Sequence, residues 1–232
     1  MPKWLRKTVS SFAVFCVVLT AVTQRPQAVR EDDRPDRTLF QAASGAVGTN
    51  ALGASESAAG WGLLFDGRTL SGWRASGEAV WATEDGVIKS SGSASGYLRT
   101  TQTFRNFELS VEFMADRSMN SAVFVRCPSD LTVNVSPRTC YEVNIFDPHE
   151  LWPTGSVNDV QSVLPDRIDT AGRWNLYEIA LVGGRIVVKL NGRTTVDAVD
   201  NRFGSGTLAL QANGPGSKGG TVSFRNIKIR PL

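Results

Sequence analysis

The sequence predicts an all-β sandwich of about ten or more short antiparallel strands, and three observations carry that prediction. Glycine is plentiful, at 22 of 232 residues, and the apolar residues favour Val, Ile, Phe and Trp over long Leu-Ala-Glu-Lys runs, a composition suited to strands and tight turns. Wherever the apolar residues are periodic, the period is two. No strand–helix–strand spacing interrupts the series, which excludes an α/β sheet. With 41% apolar content over 232 residues, the chain can build one sizeable core and still leave room for an export segment and a linker.

Lys3, Arg6 and Lys7 give the N-terminus a positive start, and Phe12 to Val22 (FAVFCVVLTAV) follows as an apolar stretch. Its length suits a signal-peptide core and is short for a membrane span. Residues 1–28 are therefore read as a signal peptide or an N-terminal membrane anchor. Ala21-Val22-Thr23 only loosely fits a small-x-small cleavage site, so the anchor stays open. Cys16 follows Phe15, where a lipoprotein signal would need a small residue, and it reads as part of the apolar stretch. The expected location is periplasmic or secreted, or anchored in the inner membrane by this segment. Residues 29–60, with REDDRPDR followed by AASGAVGTNALGASESAAG, are too polar and small to form a core and predict a flexible linker. At Trp61 aromatic and β-branched residues take over, so the folded domain is placed at 61–232.

Phe107 to Ala115 (FELSVEFMA) sets Phe107, Leu109, Val111 and Phe113 against Glu108, Ser110 and Glu112, the alternation of a strand with one face in the core. Arg185–Leu190 repeats it, and Asn191-Gly192 then supplies the residues that a type I′ hairpin turn needs at positive φ. Trp174–Val182, Arg185–Leu190 and Arg193–Asp197 thus read as a meander, with Gly183-Gly184 as its first turn. Further strands are expected at Ala79–Trp81, Val87–Ser90, Tyr97–Thr100, Ser121–Arg126, Cys140–Phe146, Thr207–Gln211 and Thr221–Arg230. In the last, Val222 and Phe224 fall on one phase and Ile227 and Ile229 on the other, which predicts a bulge near Arg225-Asn226. Trp61, Trp73, Trp81 and Trp174 are expected to pack the sandwich.

The charge of +3, from 25 basic and 22 acidic residues, forms no basic stripe interleaved with aromatics, which argues against a nucleic-acid partner. With Cys16 set aside, Cys127 ends one expected strand and Cys140 opens the next. In an exported domain such a pair should form a disulfide closing the Pro128–Thr139 loop; metal binding by the pair is disfavoured by its spacing. Asp147, Asp159 and Asp166 could hold a divalent cation such as calcium, but their spacing follows no known loop, so no metal site is legible.

The ordered series WGLLFDGRTLSGWR (Trp61–Arg74), WATEDGVIKS, GYLRT, FELSVEF, NSAVFVR, CYEVNIFD, TGS, RWNLYEI, LNGRTTVD, GTLALQ and VSFRNIKIRPL, covering essentially all of Trp61 to Leu232, resembles the 3-keto-disaccharide hydrolase family. The resemblance implies a concanavalin A-like jelly roll, and a hydrolase, lyase or hydratase acting on an oxidised (3-keto) sugar. Such a ketone acidifies the C2 hydrogen, so a base can remove it, the enolate can expel the C1 substituent, and water can then add. That sequence needs a base, a group to stabilise the enolate oxygen, and a proton for the departing alcohol.

On the matched motifs, Glu142 and Asn144 share one strand face opposite Tyr141, Val143 and Ile145. Glu142 is the candidate base, against the alternative of an ordinary solvent-facing glutamate, and Asn144 a substrate ligand. Arg126, ending NSAVFVR, is the candidate for holding a sugar or enolate oxygen, against a salt-bridged edge residue. If Cys127 and Cys140 sit directly opposite, Glu142 pairs with Val125 and lies on the other face from Arg126; either a bulge intervenes or one of the two is structural. Asp147 and His149, in the loop DPHELWPTG, are the remaining catalytic candidates. Trp152 could stack on a pyranose and Gln211 could bond a sugar hydroxyl. Asn226 is assigned to the bulge. The chain departs from the family pattern at Ala122, Asn144, Val157 and Asn213, and the last, standing where a histidine is common, leaves the general acid unassigned. A lectin-like, non-catalytic glycan-binding module of the envelope is the alternative, and an envelope interaction domain without sugar a third.

Overall fold

The computed structural model describes residues 48–232. The expectations for residues 1–28, and for 29–47 of the linker, lie outside the described residues. Among the described residues no helix is long and apolar enough to cross a membrane.

The domain is an all-β jelly-roll sandwich of two antiparallel sheets. The larger runs β11 (Arg193–Val199), β10 (Arg185–Leu190), β9 (Asn175–Val182), β6 (Phe107–Ala115), β13 (Gly220–Pro231), β4 (Val87–Gly92) and β3 (Trp81–Glu84), with β1 (Gly62–Leu63) paired to the far end of β13. The smaller runs β2 (Trp73–Gly77), β5 (Gly96–Thr100), β12 (Thr207–Ala212), β7 (Ser121–Cys127) and β8 (Tyr141–Ile145).

One face of each sheet makes the shared core, and the period-two pattern assigns it correctly. Phe107, Leu109, Val111, Phe113 and Ala115 of β6 are all buried in it, together with Val123 and Val125 of β7, Tyr141, Val143 and Ile145 of β8, and Leu208 and Leu210 of β12. On the opposite face of the larger sheet, cross-strand ion pairs take the place of apolar contacts: Arg230 bonds Glu108 at 2.8 Å and Arg225 bonds Glu112 at 2.7 Å. Trp61 and Trp73 are buried, Trp81 packs against the core edge, and Trp174 lies under the Arg225 guanidinium at 4.0 Å.

The turns follow their residues. Asn191 and Gly192 sit at φ 51° and 80° between β10 and β11. The bulge in β13 falls where the phase changes: Arg225 faces Glu112 but Lys228 faces Ser110, and Asn226 at φ 51° is the extra residue. Asn226 exchanges hydrogen bonds with Asn50 and donates to Glu112, so its role is local, as assigned.

Three elements escape the pattern, the two-residue β1 among them. β2 has no apolar alternation because it is an edge strand exposed along most of its length. Residues 48–60 of the expected linker carry a short helix, α1 (Ala54–Ala58), rather than loose chain. Its buried Glu56 pairs with Lys228 of β13 at 2.8 Å, and Trp61 beside it is buried. The ordered domain therefore begins ahead of Trp61, held by polar contacts that composition does not reveal.

Candidate functional site

The outer face of the smaller sheet bears the site. Alternation along β7 and β8 turns Ala122, Phe124, Glu142 and Asn144 away from the core, and the register sets Phe124 opposite Glu142 and Ala122 opposite Asn144. β12 adds Gln211 opposite Tyr97 of β5. A recess of about 210 Å³ opens over this face, lined by Tyr97, Asn120, Phe124, Glu142, His149, Asn158 and Gln211, with Val135, Ser136 and Pro137 as one wall.

That wall is the loop between β7 and β8, closed by the Cys127–Cys140 disulfide as the sequence predicts. It is pinned to the sheet by Tyr97, whose hydroxyl donates to the Val135 carbonyl at 3.0 Å. Arg99 adds bonds to the carbonyls of Asp130 and Val133 at 3.1 and 2.8 Å. The disulfide and these bonds therefore preorganise the rim.

Glu142 is only 6% exposed. Burial pushes its pKa up to about 7, opposed by a hydrogen bond from the Asn158 side chain and reinforced by the nearby Asp159 charge. Among the described residues no Lys or Arg lines the recess, so none of them restores the ionised form. A carboxyl poised near neutrality can both take and return a proton. Around it, Gln211 (3% exposed), Asn120 (4%) and Asn158 (9%) each leave an amide oxygen buried without a partner. Unsatisfied buried acceptors are costly, and all three belong to residues that line the recess. Gly214 leaves room for Gln211, because a Cβ there would lie 2.8 Å from its amide oxygen.

His149 reaches the recess from the loop after β8. Its Nδ1 accepts from the Leu151 and Trp152 N–H groups at 3.2 and 3.1 Å, which assigns the remaining proton to Nε2. Burial holds its pKa below the usual histidine value, so at neutral pH it is an uncharged donor.

Of the other sequence candidates, Arg126 does not reach the recess. It sits at φ 57° as the extra residue of a bulge: Cys127 faces Thr207 while Phe124 faces Ala209. That bulge also shifts Glu142 from the Val125 position expected of directly opposed cysteines to Phe124. The Arg126 guanidinium, 2% exposed, instead donates to the carbonyls of Arg105, Gly183 and Phe203. It is a structural clamp, and nearby Gly206 leaves room for the close backbone approach.

Asp147 likewise serves the fold, accepting from Thr154, Thr170 and the Ala171 N–H to fasten two loops. Asn144 donates to the Trp152 carbonyl, shaping the His149 loop. Trp152 contributes only backbone bonds and does not line the recess. Tyr177 of β9 braces the same region from the core, accepting from Gly155 N–H at 2.8 Å and donating to the Asn144 carbonyl. Among the described residues no group of three acidic, histidine or cysteine side chains gathers as metal ligands. Asp147, Asp159 and Asp166 do not converge, and Asp166 is taken up by Arg193 at 2.7 Å.

Tyr97, Asn120 and Asn158 were missed as site residues. Asn120 opens the motif NSAVFVR, and Asn158 lies two residues past TGS. Tyr97 could have been found only by knowing that β5 pairs with β12.

The model of the 3-keto-alpha-glucoside-1,2-lyase-like domain matches residues 60–230. A 3-keto-disaccharide hydrolase of Bacteroides thetaiotaomicron is 26% identical over 168 residues, covering 60% of this chain and 58% of that protein. The chain thus spans less than two thirds of that relative's length. Among solved structures, a protein of Parabacteroides distasonis provisionally assigned as a glycosyl hydrolase superposes with a TM-score of 0.69 at 22% identity, covering 79% of this chain and 99% of its own. A carbohydrate-binding module of Bacillus subtilis superposes at 0.51 with 16% identity over 68% of this chain and 95% of its own. Those two likenesses concern the fold. The match of residues 60–230, in an all-β sandwich whose sheet face carries a buried carboxyl, makes this chain a member of the 3-keto-alpha-glucoside-1,2-lyase-like family.

Proposed function

We propose that the domain cleaves the glycosidic bond of 3-keto-glycosides outside the cytoplasm, by C2 deprotonation, elimination at C1 and hydration, with Glu142 as the proton carrier. The observation that carries this reading is a buried carboxyl with a pKa of about 7, lining a recess to which no Lys or Arg among the described residues contributes. Ionised Glu142 removes the C2 hydrogen as a proton. The C2–H electrons become the C1–C2 double bond as the C1–O bond breaks, and Glu142 returns the proton to the departing alcohol. In hydration the same group takes a proton from water, oxygen adds to C1, and the proton passes to C2. One residue serving as base and then acid answers the missing second acid. The Nε2–H of His149 donates to oxygen atoms on which charge develops, and the amides of Asn120, Asn158 and Gln211 orient the sugar hydroxyls.

The test is release of a chromogenic aglycone from a 3-keto-glucoside by the wild type and by Glu142→Gln. Release abolished in the variant supports the assignment. Equal release by both proteins removes Glu142 from the mechanism, and no release by a wild type that retains glycan binding favours a lectin-like module.

A further inference from the structure

A second cavity, about 380 Å³, is lined by sequence neighbours of two residues that line the recess, His149 and Pro215. Its lining comes from the same two loops that rim the recess: Phe146 and Pro148 next to His149, and Gly216 and Lys218 just past Pro215, with Arg117 and Ser118 beside the latter, where the Lys218 N–H donates to the Ser118 carbonyl at 3.0 Å. The ring of Phe146 meets that of His149 edge-on at 6.4 Å. Adjacent residues of one loop thus line the two spaces, Pro148 the second cavity and His149 the recess. A glycoside seated with C2 at Glu142 and its glycosidic oxygen at His149 must send its aglycone across this rim.

The lining of the second cavity differs in kind from the recess. Phe146 and Pro148 offer apolar surface with no buried amide beside it, and positive charge stands at the edge. Among the described residues no carboxylate pairs with the Lys218 ammonium, while Arg117 shares its charge with Asp169 at 2.5 Å. Gly216, at φ 82°, lies beside the Phe146 ring, whose edge a Cβ there would meet at 3.9 Å, an ordinary contact distance. A sugar aglycone would call for hydrogen-bonding side chains like those around Glu142. A flat apolar ring with an anionic substituent matches what is present.

Resting on the reading of the recess as a 3-keto-glycoside site, we infer that this second cavity is an aglycone subsite for an aromatic group carrying a carboxylate, with Phe146 and Pro148 beneath the ring and Lys218 at the charge. The experiment compares 4-carboxyphenyl and 4-carbamoylphenyl 3-keto-glucosides, which differ in charge at nearly equal shape, with the full chain and with Lys218→Glu. The expected result is a KM about fivefold lower for the carboxylate, the scale of one exposed charge pair, with the ratio falling to unity or inverting in Lys218→Glu. Equal KM values in the wild type, or a preference that survives in the variant, would overturn the inference while leaving the cleavage reading intact. If neither glycoside is cleaved, the cleavage reading fails by itself. Titration of the full chain with 4-hydroxybenzoate then decides the subsite: binding weakened in Lys218→Glu upholds it, and no binding to the wild type refutes it.

Discussion

Replacing Glu142 by Gln should make the protein more stable above neutral pH while removing its activity. In the folded state the carboxyl is 6% exposed and titrates near 7, against 4.5 as its ordinary value. A folded pKa above the unfolded one means that the native state holds the extra proton between these limits. Its contribution is complete below about pH 4.5 and is lost as pH rises through 7. The difference of roughly 2.5 units, at 1.36 kcal/mol each, is about 3 kcal/mol. Glutamine is neutral at every pH and nearly the same shape, so it escapes this loss. Urea denaturation of both proteins at pH 5 and pH 8.5 reads the effect directly. Taking the difference between the two proteins cancels the other titrating groups, among them His149 and Glu178, which they share. Similar stabilities at pH 5 and a variant about 3 kcal/mol more stable at pH 8.5 are expected. Parallel pH profiles would show that Glu142 is ionised and solvated in the native state, and the case for it as a proton carrier at neutrality would fall with them.

Three further outcomes follow from the same geometry. Arg126→Met should lower stability by about 3 kcal/mol, because the carbonyls of Arg105, Gly183 and Phe203 lose their donor; an unchanged urea midpoint would return Arg126 to the list of free site residues. Converting both Cys127 and Cys140 to Ser should cost about 3 kcal/mol for a closed loop of this length and raise KM by loosening the Val135–Pro137 wall, whereas an unaltered KM would separate the loop from the site. His149→Ala should lower kcat about 100-fold with a smaller effect on KM, as expected for a donor that acts mainly in the transition state; a change confined to KM would make it a binding residue only.

Local chemistry alone determined much of this protein. The alternation in Phe107–Ala115 is a strand with its apolar face in the core, because side chains on a pleated backbone must alternate. Asn191-Gly192 is a turn because those residues tolerate positive φ, and the change of phase after Phe224 marks a real bulge. The outward strand face of Glu142 was legible from the alternation, and the disulfide from the placement of two cysteines. What the tertiary structure decided concerns partners distant in sequence. The extra residue at Arg126 re-registers β7 and carries its guanidinium to three carbonyls from other parts of the chain, away from the recess that Glu142 lines. Gln211, Asn120, Asn158 and Tyr97 meet around that carboxyl only because β5, β12, β7 and β8 pair in that order. Pairing order and burial depend on long-range contacts rather than on near neighbours, so the raised pKa of Glu142 exists only once the fold has buried it.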